Sequence, residues 1–326
     1  MIDSDVARRD LLVKVAKMYY QEERSQQEIA REIEVSRPQI SRMLKTCRDL
    51  NIVEIRINES SSTGILLQQQ LVKRFQLSKA IVASSWLKDI EHNKERVGEA
   101  AAHLLEELVQ DKMTVGISWG SSLYYLVEYF SPQQAVDAEV VQLIGGIGAR
   151  DLQADGLELA RNLSRKLNGI CHVLQAPLFV QSTALRDMLM QEPDIFQVLD
   201  KGKCVDIAVI GVGTIKAKTS ALVRAGYMSK EQAAELEKRG AVGDVLGQQI
   251  DRNGNLCNFE LNQRTIGLNI QQLKQIPTVI GVASGVDKAN VIRGAIKGGL
   301  IKMLVTDEAT AMKILNLEKY QPKNNE

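Results

Sequence analysis

The sequence predicts an α/β protein in two parts, a small helical domain at the amino terminus and a longer domain of alternating strands and helices. Two observations support this. Two helix-start signals follow each other closely at Ser25 and Ser36, and short apolar runs alternate with stretches of helical spacing from about residue 80 onward. At 326 residues and 44% hydrophobic content, the chain is long enough for two domains with a sizeable core.

Composition limits the class of protein. The net charge of +1 and the pI of about 7.6 exclude a globally basic protein, so any contact with nucleic acid must come from a local cluster of Lys and Arg. The first twenty residues lack a secretory pattern, and the longest apolar run, Cys204–Ile215, is too short to span a bilayer. We therefore expect a cytoplasmic protein without membrane contact.

The two helix starts predict a pair of short helices joined by a tight turn. Ser25 with Glu28 forms the S-x-x-E capping-box pattern, and Ser36 with Gln39 repeats it as S-x-x-Q. Pro38 lies in the first turn of the second helix, where its missing N–H costs nothing. Small and apolar residues at helical spacing would pack the two helices together: Ile29, Ala30, Ile33, Val35, Ile40 and Leu44. This is helix-turn-helix spacing.

The second helix, Ser36–Arg48, is the basic cluster that the net charge conceals. It carries four basic residues and no acidic one. Because the amino end of a recognition helix faces base edges, we predict base contacts there and phosphate contacts further along. The residues predicted to lie nearest the bases are Arg37, Gln39, Ser41 and Arg42, and those predicted to contact phosphate are Lys45 and Arg48. Ser36, at the cap, is also predicted to belong to the DNA-binding site. The alternative is an amphipathic helix with ordinary surface charge.

Duplex DNA is the favoured nucleic acid, because aromatic residues make up only 4% of the chain and none interleaves with these basic residues. After the basic helix, "NIVEIRI" (Asn51–Ile57) alternates apolar and polar residues and predicts a short strand, a wing on the helices. The polar stretch at 58–64 predicts a linker. The predicted domains are therefore residues 1–57 and 65–326.

The C-terminal part predicts a mainly parallel sheet. The predicted strands are Ala80–Ala83, Thr114–Ser118, Val140–Ile144, Cys171–Leu174, Asp206–Gly211, Thr278–Ala283 and Ile301–Thr306. The predicted helices include Lys94–Leu108, Asp155–Leu167 and Lys288–Lys297. In such sheets ligands collect at the carboxyl ends of the strands, and glycine-rich turns follow four of these strands: "SWGSS", "GGIGARD", "GVGT" and "SGVDKAN".

These turns do not match a nucleotide site. "GISWGSS" lacks the Lys of a Walker A loop, and neither "GGIGAR" nor "GVGT" completes G-x-G-x-x-G. Lys288 opens a helix, where its charge and the local N–H groups could share an anion, although a surface lysine would look the same. No catalytic or metal-binding pattern includes the three histidines, His92, His103 and His172. The four cysteines lack a C-x-x-C pair. We predict no cofactor, no metal, no catalytic residue and buried free thiols.

Six motifs in one order give the chain a resemblance to a known family. They are "YYQEERSQQEIAREIEVSRPQISRMLKTCRDLNIVEIRI", "VGISWGSSL", "VVQLIGGIGA", "VDIAVIGVGTI", "GAVGDVLGQQID" and "GVASGVDKANVIRGAIKGGLIKMLVTDEATAMKIL". Across nearly its whole length the chain resembles sugar-binding transcriptional regulators of the SorC/DeoR type. The resemblance implies a Rossmann-like effector domain similar to sugar-phosphate isomerases, a sugar or sugar-phosphate effector, operator DNA as partner, and a homodimer or homotetramer.

The resemblance also implies roles for particular residues. Ser121 and Ser122 match a hydroxyl pair that grips the effector's phosphate, with Gly120 leaving the backbone exposed. Asp244 matches an acidic residue that accepts hydrogen bonds from sugar hydroxyls. Lys288 matches a lysine that reaches the phosphate or sugar, and Arg224 a second arginine on phosphate.

One departure from the family narrows the effector. Ile144 stands where some members carry an Arg for a second phosphate or a Lys that bonds to an aldehyde sugar. With Ile144 expected to face the same site, covalent capture there is excluded and a bisphosphate is disfavoured. The competing hypothesis is a sugar-phosphate isomerase or deaminase that carries a helical adaptor. Asp244 is the one residue that the sequence suggests as its general base. A helical interaction protein without DNA affinity is a third.

Overall fold

A computed structural model describes residues 2–50, 52–53, 61–84, 89–148 and 155–319. The chain divides into two compact units, Met1–Asn58 and Glu59–Glu326. Each unit has its own hydrophobic core, and each is described by itself below.

The first unit contains three helices: α1 (Ile2–Tyr20), α2 (Gln26–Glu32) and α3 (Arg37–Asp49). The two predicted capping boxes are confirmed. Ser25 accepts the backbone N–H of Glu28, and the Glu28 carboxylate accepts the backbone N–H of Ser25 at 2.9 Å. At the start of α3 the backbone N–H and the hydroxyl of Ser36 both donate to Gln39 Oε1 at 2.8 Å.

The core of this unit needs a helix that the sequence patterns did not predict. Val15 and Met18 of α1 are buried against Ile29 and Ala30 of α2 and against the α3 residues Ile40 and Leu44. The predicted pair of helices therefore packs on a third. Of the predicted wing, Ile52 and Val53 form a bend whose N–H groups both donate to the Cys47 carbonyl, and Glu54–Ile57 lie outside the described residues.

The second unit is built on a parallel sheet with strand order β1-β9-β8-β5-β2-β3-β4. Its strands are β1 (Lys79–Ala83), β2 (Thr114–Ile117), β3 (Glu139–Gln142), β4 (Cys171–His172), β5 (Ile207–Thr214), β8 (Thr278–Val282) and β9 (Met303–Asp307). Every predicted strand is confirmed in position. The structure adds β6 (Ala241–Val245) and β7 (Gln248–Asp251), an antiparallel pair that joins the sheet through the extended end of β5.

Twelve described helices accompany this sheet. They are α4 (Ser62–Phe75), α5 (Ile90–Leu108), α6 (Ser121–Tyr129), α7 (Gly156–Lys166), α8 (Thr183–Gln191), α9 (Pro193–Gly202), α10 (Ala221–Arg224), α11 (Lys230–Lys238), α12 (Glu260–Gln263), α13 (Ile270–Gln275), α14 (Ala289–Lys297) and α15 (Glu308–Lys319). A single 3₁₀ turn, Val286–Lys288, leads into α14. The linker prediction through residue 64 is wrong at its end, because Ser61 caps α4 by accepting the Gly64 N–H at 2.8 Å.

Both faces of the sheet are buried, which explains the nearly continuous apolar runs of its strands. In β5 the side chains alternate between two cores: Ile207 and Val209 belong to the cluster with α5 and α6, while Ala208 and Ile210 belong to the cluster with α14 and α15. The prediction of buried thiols holds for Cys47 and is wrong for Cys204, which is exposed; Cys171 and Cys257 are half-buried.

Candidate functional site

The basic face of α3 is the first candidate site. All residues predicted to contact DNA are exposed on the first unit: Ser36, Arg37, Gln39, Ser41, Arg42, Lys45 and Arg48. Four cations on one exposed helix face form a site suited to a polyanion. Arg42 also donates its Nε–H to the Pro38 carbonyl at 3.4 Å, which holds the side chain against the first turn of the helix.

Two of these residues, Ser36 and Gln39, also form the predicted capping box of α3. Gln39 Oε1 is occupied by the N–H and the hydroxyl of Ser36. A bidentate contact of glutamine with adenine needs both its oxygen and its amide nitrogen. Gln39 can therefore offer only its NH₂ group to a base while the cap is intact, and Arg37, Ser41 and Arg42 carry the remaining capacity for base contacts.

The second candidate site is a cavity of about 240 Å³ in the second unit, at the carboxyl ends of β2, β5 and β8. Its wall includes all the residues predicted to bind an effector: Gly120, Ser121, Ser122, Arg224, Asp244 and Lys288. Three of the four predicted glycine-rich turns contribute to this wall. The fourth, after β3, contributes no residue to the described wall, and its residues 149–151 lie outside the described part of the chain.

The amino end of α6 supplies the anion-binding part of the cavity. Gly120 precedes the helix with φ of 132°, a conformation that a side chain would strain. Ser121 and Ser122 follow in the first turn of α6 and line the cavity, where the first N–H groups of a helix have no partner within the helix. Ser122 is 4% exposed, and its hydroxyl has no hydrogen-bond partner among the described residues. A buried hydroxyl at a helix amino terminus is suited to a bound anion.

Two residues of opposite charge, Asp244 and Lys288, also line the cavity. Asp244 comes from β6, and burial raises the pKa of its carboxyl to about 6 against the attraction of Lys288. Lys288 closes the 3₁₀ turn, and burial lowers the pKa of its amine to about 8, with a further lowering from the nearby Lys94. Gly213 makes room for this arrangement, because a Cβ there would lie 2.1 Å from Asp244 Oδ1. Asp244 is thus buried, whereas Lys288 is half-buried.

Sequence reasoning missed one side of the cavity. Lys94 of α5 lines it, together with Thr214, Thr219 and Asp287. Thr214 and Thr219 each donate a hydroxyl to Asp287, at 3.1 Å to its carbonyl and 3.2 Å to its carboxylate. The only sequence signal for Lys94 is its place near the start of a helix, and such a lysine is ordinarily a surface residue.

The prediction that Ile144 faces the site is wrong. Its side chain is fully buried in the hydrophobic core, because the chain turns after β3 and forms an antiparallel bridge between Ile144 and Gly267. The argument against covalent capture by a lysine at this position still holds, since the residue is isoleucine. The argument against a second phosphate no longer holds, because the Ile144 side chain does not line the cavity.

Among the described residues there is no group of three or more His, Cys, Asp or Glu that could hold a metal ion. None of the three histidines lines the cavity; His172 contacts Glu139 at 2.8 Å instead. Asp244 is the carboxylate of this wall with a pKa raised toward neutrality. Lys288 of the same wall has a pKa lowered to about 8, and its ammonium group suits the cavity to a bound anion.

A family model of a sugar-binding domain matches residues 61–316. The chain belongs to this family of sugar-binding transcriptional regulators, of the SorC/DeoR type. The deoxyribonucleoside regulator of Bacillus subtilis is 32% identical over 315 residues, covering 96% of this chain and 99% of that protein. The sorbitol operon regulator of Klebsiella pneumoniae is 32% identical over 308 residues, covering 94% and 97%.

Solved structures of regulators from this family have the same fold as this chain. The full-length sorbitol operon regulator SorC from Klebsiella pneumoniae superposes with a TM-score of 0.82 at 30% identity, covering 94% of this chain and 98% of that one. A DeoR family transcriptional regulator from Listeria monocytogenes gives 0.71 at 28% identity, covering 78% and 100%. In the regulator itself, no helix of the described residues is long and apolar enough to cross a membrane.

Proposed function

We propose that this regulator binds operator DNA through α3 and that a sugar or sugar phosphate bound in the cavity of the second unit controls transcription. The observation that carries the proposal is the buried hydroxyl of Ser122, which has no hydrogen-bond partner in the described part of the chain. It lies at the amino end of α6 in a wall that also holds Asp244 and Lys288. Buried polar groups are normally hydrogen-bonded, so these side chains are arranged for a polar ligand.

The proposed division of labour follows from charge. The N–H groups of α6, the hydroxyls of Ser121 and Ser122, and the cations Arg224 and Lys288 suit the charged end of a ligand. Asp244 is an acceptor for hydroxyl groups when it is ionised, which suits the polyol end. A cavity with both kinds of group selects a small hydroxylated molecule over an apolar one.

On the DNA side, the exposed cations of α3 support binding to duplex. Operators are proposed to be roughly palindromic, because helix-turn-helix proteins commonly bind as symmetric pairs. A homodimer or homotetramer in the cytoplasm is part of this proposal. The relatives named as regulators support regulation over the enzymatic alternative.

The test uses the full-length protein and a labelled duplex from the region upstream of its own gene, followed by fluorescence anisotropy at two salt concentrations. Panels of free and phosphorylated sugars are added to find one that changes DNA binding. Lys288→Met is expected to bind the duplex normally and lose the sugar response. Arg42→Ala is the complementary variant, expected to lose about 1–3 kcal/mol of base discrimination and to retain sugar-dependent thermal stabilisation.

Salt-insensitive or undetectable binding of the wild type to this duplex would contradict the proposal. Turnover of a sugar phosphate, lost in Asp244→Asn, would instead support an isomerase or deaminase. That alternative has one observation in its favour, the carboxyl pKa of about 6 at Asp244, which is suited to a general base. Lys288, whose pKa is lowered to about 8, lines the same wall and would be the second proton-transfer group of such an enzyme. We expect no turnover, because the relatives that cover nearly the whole chain are named as regulators.

A further inference from the structure

The rim of the cavity contains an ion pair that the proposed function does not use. Lys94 of α5 lines the cavity, and its Nζ lies 2.8 Å from Glu91 Oε2, one helical turn earlier. The other carboxylate oxygen of Glu91 accepts the Tyr125 hydroxyl of α6 at 3.0 Å. The Glu91 carboxylate thus joins the two helices beside the cavity, and Lys94 is the member of the group that reaches into it.

Lys94 acts electrostatically on the interior of the cavity. Its ammonium group contributes to the lowered pKa of Lys288, as does the guanidinium group of Arg224. Lys94 and Arg224 also help to lower the pKa of Glu91. Three cations are therefore close enough to repel one another, and Glu91 is a counter-charge at the rim.

The pair between Lys94 and Glu91 is a weak competitor for a bound anion. The Glu91 side chain is 57% exposed and the Lys94 side chain 22%. Ion pairs that are open to solvent on one side, like this one, are screened by water and contribute little. An anion seated at the amino end of α6 would instead be held in the sheltered cavity, where charge-assisted hydrogen bonds are stronger.

We propose that Lys94 is a specificity-determining residue for the charged end of the ligand and that Glu91 is its exchangeable counterion. An anion bound at the amino end of α6 takes the Lys94 ammonium from Glu91, while Glu91 keeps its bond from Tyr125. The inference rests on the proposed function in one respect, that the cavity binds a ligand. The inference adds Lys94 to the cations Arg224 and Lys288, and it makes Glu91 a competitor for Lys94. Together these charges favour a phosphorylated ligand over the neutral form of the same sugar.

The test titrates inorganic phosphate into the full-length protein at constant ionic strength, by calorimetry. Lys94→Met is expected to weaken phosphate binding about tenfold, the loss of one charge-assisted contact. Glu91→Gln is expected to tighten it about twofold, because the competing carboxylate is removed. The matched control is Arg96→Met, which breaks the Arg96–Glu99 pair of the same spacing on the same helix and is expected to bind phosphate as the wild type does.

Lys94→Gln replaces the methionine variant if thermal unfolding shows that the latter is not folded. Unchanged phosphate binding in the Lys94 variant would overturn the inference, as would equal weakening by Glu91→Gln, which would make the pair merely structural. A wild type that does not bind phosphate would also overturn it. That result leaves the proposed function to its own test, since DNA binding that responds to a neutral sugar would still support it.

Discussion

Replacing Asp244 by Asn is expected to stabilise the second unit at neutral pH while removing its response to ligand. Asp244 is 6% exposed, and burial raises its pKa from 3.8 to about 6. Because the folded pKa lies above the unfolded value, the folded state binds the proton more tightly. The ionised carboxylate therefore destabilises the fold, fully so above pH 6, and this cost disappears as the pH falls toward 4.

The size of the effect follows from the shift. A change of about two pKa units corresponds to about 3 kcal/mol at pH 7.5, at 1.36 kcal/mol per unit. Asparagine keeps the shape and can still accept the backbone N–H of Gly247 that now reaches the carboxylate. Its NH₂ group must be buried, at a cost of about 1 kcal/mol or more. The difference is an expected gain in unfolding free energy of about 1–2 kcal/mol at pH 7.5.

Urea unfolding followed by tryptophan fluorescence measures this gain, because both tryptophans of the sequence, Trp86 and Trp119, belong to the second unit. The difference between variant and wild type is expected to shrink by about 2 kcal/mol between pH 7.5 and pH 4.5, where the folded carboxyl is protonated. A variant less stable than the wild type at pH 7.5, or a pH-independent difference, would refute the reasoning. If the variant bound the ligand with wild-type affinity, Asp244 would not be a ligand-binding residue.

Two further predictions concern glycines at close approaches. Gly98→Ala is expected to lower the unfolding free energy by about 1–3 kcal/mol, although alanine has the better helix propensity. The reason is that the new Cβ would lie 2.3 Å from Tyr125 Cβ and 2.9 Å from the Leu126 nitrogen. Urea unfolding equal to that of the wild type would contradict this prediction. Gly213→Ala is expected to displace the Asp244 carboxylate, since the new Cβ would lie 2.1 Å from its Oδ1. Thermal shift with an effective sugar should then show no ligand stabilisation, and an intact shift would mean that Asp244 is not required.

Local signals predicted much of the architecture. The two capping boxes located α2 and α3, because a cap is formed by residues three apart. Apolar runs located the parallel strands, because both faces of that sheet are buried. Strands β6 and β7 were missed: "AVGDV" and "QQID" are short and partly polar, and they pair only because the end of β5 is placed beside them. Helix α1 was missed because no start signal was identified in its mixed-charge sequence.

The sequence by itself determined the two-part organisation, the capped basic helix α3 and the strand-to-helix turn at Gly120–Ser122, since each is specified by neighbouring residues. Tertiary structure alone decided which distant residues share a cavity. It brought Lys94 to the wall beside Lys288, and it turned Ile144 into the core through a bridge to Gly267. The physical reason is that capping and side-chain alternation are local interactions, whereas the field inside a cavity is the sum of charges brought together by the packing of α5, β6 and the 3₁₀ turn.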